Sequence, residues 1–207
     1  VLKLENLGYE RENKTLFSNL TSEIPLGAFV NVVGQNGAGK TSLLKVLAGL
    51  WQPTTGSLVW DNKSLPLAAP LFWAELLYIG HESQLQPTLT PLQNLKGWIA
   101  LNSLEGSAIK DIEAALVQVG LKAFMHLPAE ILSRGQRQRV LLARLWVNPP
   151  RCWILDEPFT ALDEAGILAV KHRFEEHLLQ DGIIIVATHQ PLQISAETTR
   201  HIELHST

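Results

Sequence analysis

Apolar positions change their spacing along this chain, and the changes mark its elements. Residues 1–33 read as β structure. Leu2 and Leu4, then Leu16 to Ile24, give short apolar stretches around the turn-like run Glu10-Arg-Glu-Asn-Lys14. Ala28 to Val33 is an apolar run ending in glycine, the pattern of a buried strand. A helix is expected from Lys40 to about Ala48, stopped near Gly49, and Gly56 to Asn62 reads as a further strand with a turn. From 82 to 148 the pattern becomes helical. Ile109, Ile112, Leu116 and Val119 fall at helical spacing, and Gly120 is a C-terminal stop. A second helix is expected from Ser133 to about Val147. Asn148-Pro149-Pro150 ends it, because proline cannot continue the hydrogen-bond ladder. Strand Cys152–Asp156, a helix at about 163–179, strand Gly182–Thr188 and a closing strand near His201–Leu204 complete the series.

Alternating strands and helices argue for an α/β fold with a mainly parallel sheet covered on both faces. The expected organisation is a single domain of two lobes. Residues 1–81 and 149–207 form a core lobe, and about 82–148 form an inserted helical lobe. The 207 residues are enough to bury a sizeable core.

Composition narrows the function classes. The net charge of −3 supplies no bulk basic surface, so nucleic acid is not an expected partner. The one cysteine, Cys152, excludes an internal disulfide or a cysteine metal cluster, fits a reducing compartment, and reads as inert packing. Ile24 to Gly39 is free of charge but contains Pro25, Asn31 and Gln35, and is shorter than the roughly 20 apolar residues of a membrane helix. The first residues lack a basic-then-apolar secretory pattern, so a cytoplasmic protein is expected, with any membrane role supplied by a partner. No C-x-x-C-H haem-attachment pattern is present. His172 and His177, five residues apart on a predicted helix, do not share a face cleanly, so direct haem ligation is not expected.

Gly34-Gln35-Asn36-Gly37-Ala38-Gly39-Lys40-Thr41 satisfies G-x-x-x-x-G-K-[ST] between a predicted strand and a predicted helix, the context that confirms it. The glycines let backbone N–H groups, through Ser42, turn inward around phosphate oxygens. Lys40 is expected to reach the β- and γ-phosphates and the Thr41 hydroxyl to ligate Mg²⁺. Asp156 ends the buried run Cys152–Asp156 and is the second Mg²⁺ ligand, through water. Glu157, one residue on, points differently and can polarise an attacking water, a general-base role worth about 10²–10⁴ in rate. His189 follows strand Gly182–Thr188, at the strand end where ligands bind in such sheets, and is expected to meet the γ-phosphate or the water. ATP and Mg²⁺ are the expected cofactors.

A second anion-binding pattern lies at Ile131–Val140. Ser133 and Gln136 have capping-box spacing, with Arg134 and Gly135 between them.

The phosphate loop, Leu132–Gln136, Ile154–Pro158, Ala161–Asp163 and His189, in this order and spacing, resemble the ATP-binding-cassette (ABC) ATPase family. The resemblance covers nearly the whole chain. It implies a P-loop NTPase fold with a mainly parallel core sheet, an antiparallel β part and an inserted helical lobe. It also explains the second pattern. In this family two subunits pair head to tail, and Ser133, Gly135 and Gln136 would complete the partner's ATP site in trans, as an arginine finger does. The resemblance makes Asp163 a residue of the loop between the two sites. Tyr9 looks like the aromatic that stacks on adenine, or else an ordinary strand tyrosine. Two positions depart from the family pattern. His81 stands where most members have Gln, which puts Mg²⁺ ligation there in doubt and assigns it a water or coupling role. Arg134 stands where a small residue is usual; it either assists the partner's phosphates or faces solvent.

Tyr78–His81, Leu142–Trp146, Trp153–Asp163 and Thr188–Leu192 together resemble the ATP-binding subunits of cytochrome c biogenesis haem exporters. That resemblance implies integral-membrane permease partners, a homodimer on ATP binding, and a peripheral position on the cytoplasmic face of the bacterial inner membrane. The alternatives are the ATPase of another transporter and a soluble non-transport ABC ATPase.

Overall fold

A computed structural model describes residues 1–65, 67–81, 85–101, 109–147, 150–190, 192–196 and 198–205. In chain order the elements are β1 (Leu2–Arg11), β2 (Lys14–Ile24), β3 (Ala28–Gly34), α1 (Lys40–Leu47), β4 (Thr55–Trp60), β5 (Lys63–Ser64), α2 (Ala69–Ala74), β6 (Leu76–Ile79), α3 (Pro91–Leu101), α4 (Ile109–Gln118), α5 (Arg134–Leu142), β7 (Cys152–Asp156), α6 (Glu164–Leu178), β8 (Ile183–Ala187) and β9 (Thr198–Leu204). They fall into two compact units. The first is Val1–Tyr78, Pro150–Glu157 and Glu175–Thr207; the second is Ile79–Pro149 and Pro158–Phe174. The second unit thus takes in residues 158–174, which the sequence reading assigned to the core lobe.

Two sheets build the first unit. An antiparallel sheet has the order β2-β1-β4-β5, and a second sheet has the order β6-β7-β8-β3-β9. In the latter, β3 pairs in parallel with β8 and β9, and β7 in parallel with β8. Arg11 pairs with Lys14 across Glu12 and Asn13, both at positive φ, which is the hairpin turn whose twist matches its flanking strands. Every residue of β7 and β8 is buried. That is why both strands read as unbroken apolar runs and do not alternate. Leu43, Leu44, Val46 and Leu47 of α1 join Val30, Val32, Ile154 and Ile185 of the parallel sheet and Leu2, Leu4 and Leu58 of the antiparallel one in a single core. Each such side chain contributes about 1.5–3 kcal/mol by leaving water.

Polar side chains also pack on aromatic rings of this unit. The His177 ring stacks on Trp153 at 3.6 Å, with its Nε2 3.2 Å from the Arg151 carbonyl. Arg151 pairs with Asp61 and Glu75 and lies over the Trp60 ring. Cys152 is fully buried, and burial pushes its thiol up to about 12, so it is inert packing as its strand position suggested. The tryptophans differ in burial. Trp60 and Trp153 are buried, but Trp73 is half exposed and donates to the Ala48 carbonyl at 3.2 Å.

The second unit holds α3, α4, α5 and the first part of α6. Thr90 caps α3 reciprocally with Gln93, and Pro91 occupies the first helical position, where its missing N–H costs nothing. Asn94 organises the preceding loop. Its Nδ2 donates to the carbonyls of Gln86, Leu89 and Thr90, each at 3.1 Å, and its Oδ1 accepts from the Gln86 N–H at 2.8 Å. The same loop accepts backbone bonds from Ala129 and Glu130. The helix expected from Ser133 to Val147 ends at Leu142 and tightens into a 3₁₀ turn, Ala143–Trp146. Such turns are common at helix ends, and here the Leu145 carbonyl is taken by Arg173 Nε at 2.8 Å. Asn148 and Pro149, expected to stop that helix, lie outside the described residues.

Asn94→Ala would leave one N–H and several carbonyls without their partner. The expected loss is about 2–3 kcal/mol in urea unfolding. A loss below about 0.5 kcal/mol would mean that the loop holds its shape without Asn94.

Candidate active site

The phosphate loop occupies the turn from β3 to α1. Gly37 and Gly39 have φ of 83° and 96°, a region open to glycine at little cost. Gly39 serves as the N-cap of α1 in left-handed conformation, and no side chain caps the helix. The first N–H groups of α1 are therefore left to an anion, whose charge the helix dipole favours. Ala38 is buried, while Gln35, Asn36 and Gly37 are exposed. Lys40 Nζ donates to the carbonyls of Gly34 at 2.8 Å and Gln35 at 3.1 Å, which brings its ammonium over the loop.

Thr41 Oγ1 donates to Asp156 Oδ2 at 2.7 Å. Asp156 is 3% exposed at the end of β7, beside the α1 N-terminus. One hydroxyl and one carboxylate side by side suit Mg²⁺, which takes few protein ligands and shares the rest with phosphate and water. Among the described residues no group of three or more His, Cys, Asp or Glu side chains could hold a metal. The pair thus fits a cation held jointly with nucleotide, and the described residues offer no all-protein cage.

Glu157 leaves the strand in left-handed conformation, φ 50°, with its N–H donating to the Ala187 carbonyl at 2.8 Å. Glu157 Oε1 lies 3.5 Å from His189 Nε2. The base candidate and the histidine candidate therefore meet at the ends of adjacent strands β7 and β8, with Glu157 the more buried of the two. In the first unit Thr41 thus meets Asp156, Glu157 meets His189, and Lys40 lies over the loop that precedes α1.

Ser133, Arg134, Gly135, Gln136, Asp163 and His81 belong to the second unit. The capping box is present: Ser133 Oγ accepts from the Gln136 N–H at 3.2 Å, and Gln136 Oε1 accepts from the Ser133 N–H at 2.9 Å. The Ser133 proton remains available to an anion, because the cap uses the hydroxyl only as an acceptor. Arg134 and His81 are exposed. Asp163 Oδ1 accepts from the Gly166 N–H at 2.8 Å and pairs with Arg139 Nη2 at 2.6 Å. The Gly166 bond, and then the Arg139 pair, hold its carboxyl below the usual carboxylate range. Asp163 thus caps the start of α6, a role its position next to Glu164 signalled and sequence reading passed over.

Tyr9 is partly buried and stacks on Trp51 at 5.5 Å and Phe17 at 6.0 Å. Lys45 Nζ lies 4.6 Å from the Trp51 ring centroid. An aromatic cluster thus stands where sequence reading named a single ring. Phe17 faces Tyr9 across the β1–β2 pair, and Trp51 reaches it only through the fold, so neither was read as its partner.

Residues 17–160 match the family model described as ABC transporter. The chain belongs to the ABC transporter family. Two relatives in this ABC family bear the name cytochrome c biogenesis ATP-binding export protein CcmA. The Shigella flexneri protein is 41% identical and the Escherichia coli K12 protein 40%, each over 100% of this chain and 98% of its own. Among solved structures, the ATP-binding cassette MJ0796, dimeric in a post-hydrolysis state with ADP and Pi, superposes with a TM-score of 0.80 at 25% identity, covering 92% of this chain and 88% of its own. Membership makes this chain an ATP-binding ABC ATPase that hydrolyses ATP to ADP and phosphate.

Lys40→Ala removes the ammonium that lies over the phosphate loop. ATP affinity, read by equilibrium dialysis, should fall by about tenfold or more, the usual worth of a charge-assisted contact. Unchanged affinity would remove Lys40 from the cradle.

Proposed function

We propose that this chain is the ATP-hydrolysing motor subunit of a membrane ABC complex that serves haem export, or release of a haem-loaded chaperone, in cytochrome c biogenesis. The observation that carries this reading is identity of 40–41% along the full chain to cytochrome c biogenesis ATP-binding export proteins. Integral-membrane permease subunits are the partners. No helix among the described residues is long and apolar enough to cross a membrane, which accords with peripheral attachment at the cytoplasmic face of the bacterial inner membrane.

Two copies pair head to tail on binding ATP. Residues 34–42 cradle the phosphates, and Thr41 and Asp156 hold Mg²⁺, which neutralises charge on the phosphates when bound. Glu157 takes the proton of the attacking water, with His189 orienting the γ-phosphate or that water. The Tyr9 cluster offers the adenine an aromatic face. Ser133, Gly135 and Gln136 donate to the partner's nucleotide, with Arg134 beside them and Asp163 in the loop between the two sites. His81 serves coupling to the permease. The first unit binds the nucleotide, and the second unit, which contains the inserted lobe at about 82–148, carries the signature.

Glu157→Gln should keep ATP binding and accumulate an ATP-bound dimer in sedimentation velocity, because cleavage is blocked after the sites close. A monomer at saturating MgATP would remove the in-trans site. The same variant, with MgATP, is the bait for a pull-down from detergent-solubilised membranes, read by mass spectrometry and haem absorption. Integral cytochrome-assembly proteins are the expected catch. A different permease would discard the haem role and leave the motor.

A further inference from the structure

Helix α5 is fastened along one face to the segment 158–163, and the three fastenings have helical spacing. At Gly135 an added Cβ would lie 2.3 Å from the Ala161 carbonyl oxygen, so the backbone of that segment rests directly on the first turn of α5. Gln138 Nε2 donates to the Pro158 carbonyl at 3.2 Å. Arg139 Nη2 donates to Asp163 Oδ1 at 2.6 Å. Positions 135, 138 and 139 share a face because residues three and four apart are neighbours on a helix.

Arg139 does more than pair with Asp163. Its Nη1 donates to the Val119 carbonyl at 3.3 Å, just beyond the C-terminal end of α4, where a cation is favoured by the helix dipole. One planar fork therefore holds α5, the end of α4 and Asp163 at once. A lysine, with a single point of charge, does not reproduce that geometry. Arg139 is 22% exposed at its side chain, and its pair with Asp163 is a charge-assisted bond in a partly dry setting.

We infer that Arg139 is a positioning residue: it makes the Ser133–Gln136 start of α5 and the Ala161–Asp163 loop one rigid edge, which meets the partner's nucleotide as a unit. This rests on the in-trans reading above. Without the fork, each segment has to be ordered separately when two copies close, and closure becomes less favourable. Nucleotide binding by a single copy, which uses Lys40 and Thr41, is left alone.

The test uses the Glu157→Gln chain as background and MgATP as the probe. Two quantities are read: ATP affinity of the dilute monomer, and the ATP concentration giving half-maximal dimer. Adding Arg139→Met should leave the first within about twofold and raise the second by about tenfold, the scale of one charge-assisted hydrogen bond. Arg139→Lys should fall between, since it keeps the charge and loses the fork. A purely structural role would weaken both quantities together, and that result overturns the inference, as does a dimer that forms at unchanged ATP. If Arg139→Met does not fold, Arg139→Lys decides: a selective rise in the ATP needed for dimer supports the inference, and no change removes it. Glu157→Gln alone remaining monomeric would sink the in-trans reading, and this inference with it. A dimer that survives loss of Arg139 sinks the inference alone.

Discussion

The hydrogen bond from Thr41 to Asp156 ties the start of α1 to the end of β7 across 115 residues of sequence. Asp156 is a carboxylate at 3% exposure, and a buried charge is costly unless it is paired or hydrogen-bonded. The hydroxyl at the start of α1 satisfies part of that need. It also fixes the end of β7 against the phosphate loop. The location of Glu157 follows from this, because it is the next residue, and that of His189 follows because β8 lies beside β7. The buried strands are what make the arrangement stiff. Their side chains are packed on all sides, so the carboxylates at their ends cannot drift.

How much of this was legible in the sequence depended on how local the cause was. The phosphate loop was legible because glycine spacing and a strand-then-helix context are both short-range. The capping box at Ser133 and Gln136 was legible for the same reason. Buried strands β7 and β8 showed as apolar runs. The four-residue strand β6 and the six-residue helix α2 did not show, because elements so short carry too few periods of any pattern. The 3₁₀ turn at Ala143–Trp146 was hidden because its Leu145 carbonyl is bonded by Arg173, far away in sequence.

The site residues divide along the same line. Residue types at fixed spacing announced Lys40, Thr41, Asp156 and Glu157. Sequence could place Asp163 in a motif but could not give its hydrogen bonds, because Arg139 reaches it from another helix. Tyr9 was visible as an aromatic in a strand, yet its stacking with Trp51 belongs to the fold of the first unit. Gly135 illustrates a further limit. Its place in the signature pattern suggests access to phosphate, while the structure gives it a second reason to be glycine, the Ala161 carbonyl against it.

That contact bears on the segment between Glu157 and Asp163. Glu157 and Ala161 both have left-handed backbones, φ 50° and 62°, where a residue with a Cβ costs about 1–2 kcal/mol. Such conformations persist when surrounding bonds over-determine them. At Glu157 the bond is its N–H to the Ala187 carbonyl, within the parallel sheet. At Ala161 the support is Gly135 behind it and Asp163, held by Gly166 and Arg139, two residues ahead. Glycine at 161 would relieve the strain but would also free the backbone to adopt other conformations. Keeping alanine there leaves the segment strained and narrowly defined. Glu157 and Ala161 are thus each held in a strained backbone by the bonds of its own unit.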